Sequence, residues 1–279
     1  MPHLYMGRTP SGLWKLNVFY MGIRAAISQV PEPGSRFFAG LESKTKAWSE
    51  AYPASPSAHI AHSMVLLEHG WYFRGTGYAS SVPPEAWEPF RRYVKLAREN
   101  LERHKAIAAV DPGWYEAMLT VARAEGWNRR EFDALLNEAL DREPYSYHTY
   151  FAAVEYLLPH WQGSAEEVEQ FAQQAVARTR AQEGESLYAR IYWAASQGFG
   201  NDLLFRSSTV WPRMKAGFED VIARYPDVWN VNNYARFSCL AGDKQKARQL
   251  LTKIQAAPVV EAWQPVSLFV RCQRWAFGQ

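Results

Sequence analysis

A chain of 279 residues with 48% hydrophobic and 21% charged side chains has the makeup of a folded protein and excludes a disordered one. Its 31 basic and 28 acidic residues leave a net charge of +3, too balanced for the concentrated basic field that a nucleic-acid partner needs. No apolar run approaches the roughly 20 residues of a membrane span. The apolar stretch 18–23 is too short for a signal peptide and is followed at once by Arg24, so the expected setting is the cytoplasm.

Residues 1–36 are expected to form an N-terminal cap segment and 37–110 an N-terminal helical region. Ile60, Met64, Leu67 and Trp71 recur at helical spacing over 57–72. The loop "RGTGYASSVPP" follows. One long helix is then expected from about 85 to 110, with Phe90, Val94, Ala97, Leu101 and Ile107 on its buried stripe. Pro83-Pro84 open it and Asp111-Pro112 close it.

Shorter, paired helices are expected over 111–256: 113–125, 129–142, 145–158, 164–182, 185–197, 211–224, 228–241 and 243–256. Ser164 with Glu167 reads as a capping box. No segment alternates with a period of two, so no sheet is needed. Gly126, Gly163, Gly200 and Gly242 fall 37, 37 and 42 residues apart. Asp111-Pro112, Glu143-Pro144, Glu183-Gly184 and Tyr225-Pro226 open successive pairs. A period of this size marks stacked helix–turn–helix units, each too thin to bury its own apolar flank. In "NNYARFSCLAGDKQKARQLLTKI" (232–254), Ala235 and Ala247 are expected where two helices cross closely. Gly242 supplies the left-handed turn, and Leu251 and Ile254 cover the next layer. Residues 257–279 are expected to cap the far end.

Ala235, Gly242, Ala247 and Leu251 occupy the small, turn, small and large positions of the tetratricopeptide repeat (TPR), which this pair resembles. The other pairs are degenerate: Glu131 and Trp193 stand where small residues are usual, and Pro159 interrupts a first helix. Across 52–254, the segments "YPASPSAHIAHSMVLLEHGWYFRGTGY", "LLPHWQGSAEEVEQFAQQA" and "RYPDVWNVNNYARFSCLAGD" resemble an uncharacterised bacterial TPR-like family. That resemblance implies an all-α fold, a right-handed α-solenoid of degenerate TPR-like repeats whose first helices line a concave groove. It also implies which positions face the groove: Trp229, Asn232, Asn233 and Arg236 in the best-matching pair, Leu187 and Arg190 in its neighbour, Tyr150 and Glu116 in the others. Arg and Asn there suit a peptide carboxylate or backbone, and Trp an apolar anchor. The expected function is a non-catalytic scaffold or adaptor that binds a protein or peptide, without nucleic acid, membrane or cofactor. A bacterial immunity protein that plugs a toxin is the second reading.

Catalytic patterns are sparse. His59 and His62 share a helical face, with His69 further along. A metal-dependent enzyme centred on His59, His62 and Arg74 is therefore the alternative class, although no HExxH motif completes it. "GTGY" lacks the third glycine, the preceding strand and the lysine of a phosphate loop. No GxSxG surrounds Ser80-Ser81. Glu166, Glu167 and Glu169 suit a helix start. Trp161 reads as a plug between repeats or an exposed anchor. Cys239 and Cys272 lie outside any CxxC pair and read as small buried apolar residues in a reducing compartment; a disulfide between them is the alternative, which no spacing pattern supports.

Overall fold

The computed structural model describes residues 7–30, 34–254 and 258–278. Parts of the expected end caps (1–6, 31–33, 257 and 279) and the last two residues of the expected helix 243–256 lie outside the described residues. Among the described residues the regular elements are all helical and no strand forms. None of these helices is long and apolar enough to cross a membrane. The chain divides into two compact units, Met1–Gly7 with Leu13–Tyr156, and Arg8–Gly12 with Leu157–Gln279.

The first unit contains α1 (Lys15–Ser28), α2 (Ser35–Ala51), α3 (Pro56–Arg74), α4 (Trp87–Arg103), the single turn α5 (Lys105–Ala108), α6 (Pro112–Glu125), α7 (Arg129–Arg142) and α8 (Tyr147–Tyr156). α3 starts where Ser55 Oγ accepts the Ala58 N–H with Pro56 in the first turn, and it ends at Gly75, whose φ is +68°. It buries Ile60, Met64 and Leu67, α4 buries Phe90, Val94 and Leu101, and the two helices form the most extensive pairing in the unit, with Asn100 Nδ2 of α4 donating to the His59 carbonyl at 3.1 Å and to Ser63 Oγ at 2.8 Å. The two backbones approach closely at Gly70, where a Cβ would meet the Phe90 carbonyl oxygen and Tyr93 Cβ at 3.3 Å. Each large apolar side chain buried this way contributes roughly 1.5–3 kcal/mol.

The expected single helix over 85–110 is interrupted at His104 (φ −106°, ψ 13°). The cause is tertiary. Trp114 Nε1 of α6 donates to the Leu101 carbonyl at 2.9 Å, the oxygen that the Lys105 N–H would take in a continuous helix. Ile107, expected on the buried stripe, is consequently exposed. α6 itself is capped by Asp111, whose Oδ1 accepts the Gly113 N–H at 2.8 Å, and ends on left-handed Gly126. It packs on α3, α4, α7 and α8, and ten of its 14 residues are buried.

The second unit contains α9 (Ala165–Glu183), α10 (Ser186–Phe199), the single turn α11 (Leu203–Arg206), α12 (Trp211–Arg224), α13 (Val228–Leu240), α14 (Lys244–Ile254) and α15 (Ser267–Phe277). α9 packs on α10, α10 on α12, α12 on α13, α13 on α14 and α14 on α15, an order in which each helix shelters the next. Ser164 Oγ caps α9 by accepting the Glu167 N–H at 3.2 Å. Ala235 and Ala247 are fully buried on the paired α13 and α14, and Gly242 between those helices has a φ of +70°. Gly217 lets α12 approach α10, since a Cβ there would lie 2.6 Å from the Glu185 carbonyl oxygen.

Cys239 and Cys272 form a disulfide that ties α13 to α15. This corrects their reading as two separate apolar thiols, and it removes the support they gave to a reducing compartment. The packing of α15 against α13 and α14 brings the two Cα atoms to 5.9 Å, within bridging range, although 33 residues separate them along the chain.

Candidate functional site

The residues proposed to line a groove fall into two sets, one in each unit. In the second unit, Asn232 is fully buried. Its Nδ2 donates to the Val228 carbonyl, and its Oδ1 accepts Trp263 Nε1 at 2.8 Å and the Val259 N–H at 3.2 Å. Asn233 is also buried and donates to the Trp229 carbonyl at 2.9 Å. Arg236 is only 8% exposed; its Nη2 donates to Asn201 Oδ1 at 2.9 Å and its guanidinium lies over the Phe237 ring. Burial lowers the basicity of that guanidinium. Trp229 is half-buried beside Trp193, with ring centroids 5.8 Å apart, and Leu187 is fully buried. In the first unit, the buried Tyr150 donates to the Pro144 carbonyl at 2.9 Å.

Arg190 is placed differently. From α10 its Nη2 donates to the Ser11 carbonyl at 3.0 Å, and Asn230 Nδ2 of α13 donates to the same oxygen at 3.1 Å. Ser11 sits in a tight turn closed by Gly12 N–H to the Thr9 carbonyl, in the sequence Thr9-Pro10-Ser11-Gly12. Gly12 is required twice over. Its φ is +93°, and a Cβ would meet the Tyr225 ring at 2.8 Å and Arg190 Nη2 at 3.0 Å. The Arg190 guanidinium also stacks over Tyr225, with the ring centroid 5.7 Å away. Two side chains, one on α10 and one on α13, thus clasp a backbone carbonyl of a segment distant in sequence.

A parallel arrangement occupies the first unit. α1 packs mainly on α3. Trp14 Nε1 donates to the Tyr145 carbonyl at 3.0 Å. Asn17 Nδ2 donates to Glu116 Oε2 at 3.3 Å, and Tyr20 Oη to Asp111 Oδ2 at 2.6 Å. Arg24 Nε donates to Glu68 Oε1 at 2.8 Å, and its Nη1 lies 4.0 Å from Glu116 Oε1. Burial, followed by the Asp111 carboxylate, pushes the Tyr20 phenol far up, so it stays a donor. Gly113 admits the Tyr20 ring, which a Cβ would meet at 2.6 Å. Glu116, expected to face a ligand, is thus 8% exposed and engaged by α1.

The histidines go to separate partners. His59 Nε2 donates to the Pro53 carbonyl at 2.8 Å and its ring stacks on His104 at 3.8 Å. His62 Nδ1 pairs with Thr45 Oγ1 at 2.9 Å. His69 pairs with Glu42 and lies between Phe38 and Tyr93. Among the described residues no group of three or more His, Cys, Asp or Glu side chains converges on a point where a metal ion would sit. Arg74 lies against Trp71 and Trp87 and donates to the Gly75 and Gly77 carbonyls, which pins the "GTGY" turn. Glu169 accepts from Tyr188 at 2.8 Å and Tyr192 at 2.5 Å and lies 3.6 Å from Arg213. That role exceeds the helix-start role expected of it. Trp161 is half-buried.

Asn17, Tyr20, Asp111 and Asn230 were not among the expected site residues. Two signals for them stand in the sequence: the turn signature of Thr9-Pro10-Ser11-Gly12, and polar-capable side chains at 14, 17, 20 and 24 on one helical face. No protein family, no curated protein and no solved structure matches the chain.

Proposed function

We propose that the protein is a non-catalytic scaffold that binds a protein or peptide through the first helices of TPR-like pairs, arranged as a right-handed α-solenoid. One observation carries this reading. Arg190 and Asn230, on the first helices of neighbouring pairs, hold the Ser11 carbonyl at 3.0 and 3.1 Å. Side-chain donors that grip a backbone oxygen recognise a peptide by its main chain, and charge-assisted donors such as Arg do so strongly. The consecutive packing of helices within the second unit, and the left-handed glycines at Gly126 and Gly242, support the repeat reading. Affinity in such a site comes from a few anchors and not from chemistry.

The test is a binding measurement. Trp229 is the half-buried aromatic of the best-matching pair. A partner cross-linked to the chain in its native cells should bind the purified protein in calorimetry at fixed stoichiometry. Trp229→Ala should weaken it about tenfold, a loss of roughly 1.4 kcal/mol, while the melting temperature moves little. A chain that yields no stoichiometric partner, or whose partner ignores changes on α10 and α13, would defeat the reading.

A further inference from the structure

A closed circuit of polar contacts joins α3 to the break after α4. His59 Nε2 donates to the Pro53 carbonyl at 2.8 Å, in the turn that leads into α3. The His59 carbonyl accepts from Asn100 Nδ2 of α4 at 3.1 Å. The Asn100 carbonyl in turn accepts from His104 Nδ1 at 2.8 Å. The His104 ring then lies on the His59 ring, with centroids 3.8 Å apart and planes 12° from parallel. His104 is also the residue at which α4 gives way to α5.

A carbonyl oxygen only accepts, so both tautomers are fixed. Neutral His59 carries its proton on Nε2 and neutral His104 on Nδ1. The bare Nδ1 of His59 is buried without a hydrogen-bond partner, and the residue is 3% exposed. A second proton on that ring meets no acceptor, and a charge buried in this way is costly. His104 is partly exposed, so the first proton of the pair goes there. Two imidazolium rings face to face would repel, and the pair titrates as a unit that holds one proton and not two.

Charges reach this region from each neighbouring element. Desolvation holds His104 below 6.5; the Asn100 carbonyl opposes that, and His59 and Arg103 of α4 add to it. α2 brings Glu42, Lys46 and Glu50 to His62, one turn after His59. Burial outweighs the two carboxylates there, and His62 also sits below 6.5. Lys105 of α5 pairs with Glu138 of α7 at 2.9 Å and lies over the Trp114 ring of α6. Arg24 of α1 meets Glu68 farther along α3.

We propose that the His59–His104 stack is an acid-sensitive catch in the first unit. At neutral pH it holds the turn at Pro53, the start of α3 and the α4 break together, and a second proton on the pair releases them. The sign follows from the imidazoles that sit lower closed than open. The open form binds more protons, so the closed form loses stability as pH falls below 6.5. The device does not depend on the scaffold reading.

Hydrogen exchange of the full chain at about pH 7.5 and about pH 5.5, corrected for the intrinsic effect of pH, tests it. One unit below 6.5, a ring that charges only when open multiplies the opening equilibrium about tenfold. The amides of 56–63 and 100–108 should therefore open at least about tenfold more often in acid, while those of 244–254 change less than about twofold. His59→Phe combined with His104→Phe keeps two rings and removes both titrating groups, and it should cut the rise at least about fivefold. A rise that survives the double substitution overturns the proposal, and so does a wild-type rise below about twofold. Long-range nitrogen–proton spectra of the wild-type chain need no variant. They should show His59 as the Nε2–H tautomer and His104 as the Nδ1–H tautomer at neutral pH, with no more than one of the two charged in the folded chain at about pH 5.5. Two charged rings in a chain that keeps its exchange protection overturn it as well.

Discussion

Tyr20 donates to Asp111 at 2.6 Å, and the other oxygen of that same carboxylate caps α6 through the Gly113 N–H at 2.8 Å. One buried acid therefore both starts a core helix and receives the N-terminal helix. Asp111→Asn keeps an oxygen for one of these bonds and surrenders the other or its charge. A loss of about 1–3 kcal/mol is expected, read as a lower denaturant midpoint at unchanged slope. An unaltered midpoint would show that the α6 cap and the Tyr20 bond contribute little.

Asn232 is expected to be structural wherever the partner sits. Replacing it with Ala leaves Trp263 Nε1 and the Val259 N–H without their acceptor inside the unit. The expected cost is about 1–3 kcal/mol, measured by urea unfolding. Arg236→Glu is expected to lower the melting temperature as well, since it turns a buried, hydrogen-bonded cation into a buried anion beside Asn201 Oδ1. If both variants melt like wild type, these side chains are available to a ligand after all.

The disulfide joins α13 to α15 across 33 residues. Closing a loop of that length restricts the unfolded chain by about 3–4 kcal/mol on the loop-entropy account. Cys272→Ala, or reduction of the wild type, should therefore lower stability by an amount of that order, and thiol titration should find no free thiol in the oxidised protein. Two titratable thiols in the native chain would contradict the bridge.

Much of this architecture was legible because its punctuation is local. Pro112 and Gly126 bound α6 by chemistry that acts within a turn, and the same holds for Ser164 at α9 and Gly242 after α13. What was hidden depends on partners remote in sequence. The break at His104 follows from an indole 13 residues beyond the carbonyl it takes. Asn232 read as a ligand residue because its acceptor role is set by Trp263, 31 residues on. The resemblance places Arg190 toward a groove, and nothing near it in sequence indicates that its guanidinium donates to the Ser11 carbonyl of the same chain, 179 residues away.

Acid should weaken the second unit through Asp243 and Glu219. Burial raises both carboxyls. Lys215, the Lys246 N–H and Trp211 outweigh it at Asp243, and Lys246 and Tyr234 outweigh it at Glu219, so both sit below their ordinary values. The unfolded state then binds more protons, and stability rises with pH. The contribution is whole above the unfolded values of 3.8 and 4.5 and is lost as pH falls through the lower folded values. Unfolding free energies measured from about pH 6 down to pH 3 should fall with acid, and Asp243→Asn should flatten that fall. An Asp243→Asn profile parallel to wild type would remove Asp243 from the account.

Leu251 tests whether the last pair is sealed as a layer. It is 3% exposed on α14, beside the fully buried Ala247, and α14 packs on both α13 and α15. The small residues Ala235 and Ala247 bring two helices together, and a large one must then fill the space beyond them. Leu251→Ala deletes that filler at a site whose backbone is held by the Cys239–Cys272 bridge on its neighbours, so the cavity has little freedom to collapse. The expected loss is about 2–5 kcal/mol, read as a shift in denaturant midpoint. The exposed Thr252 on the same helix is the control, and Thr252→Ala should change stability by no more than about 0.5 kcal/mol. Equal effects at the two positions would mean that α14 does not present Leu251 to a packed layer, and the repeat interpretation of this pair would fail with it.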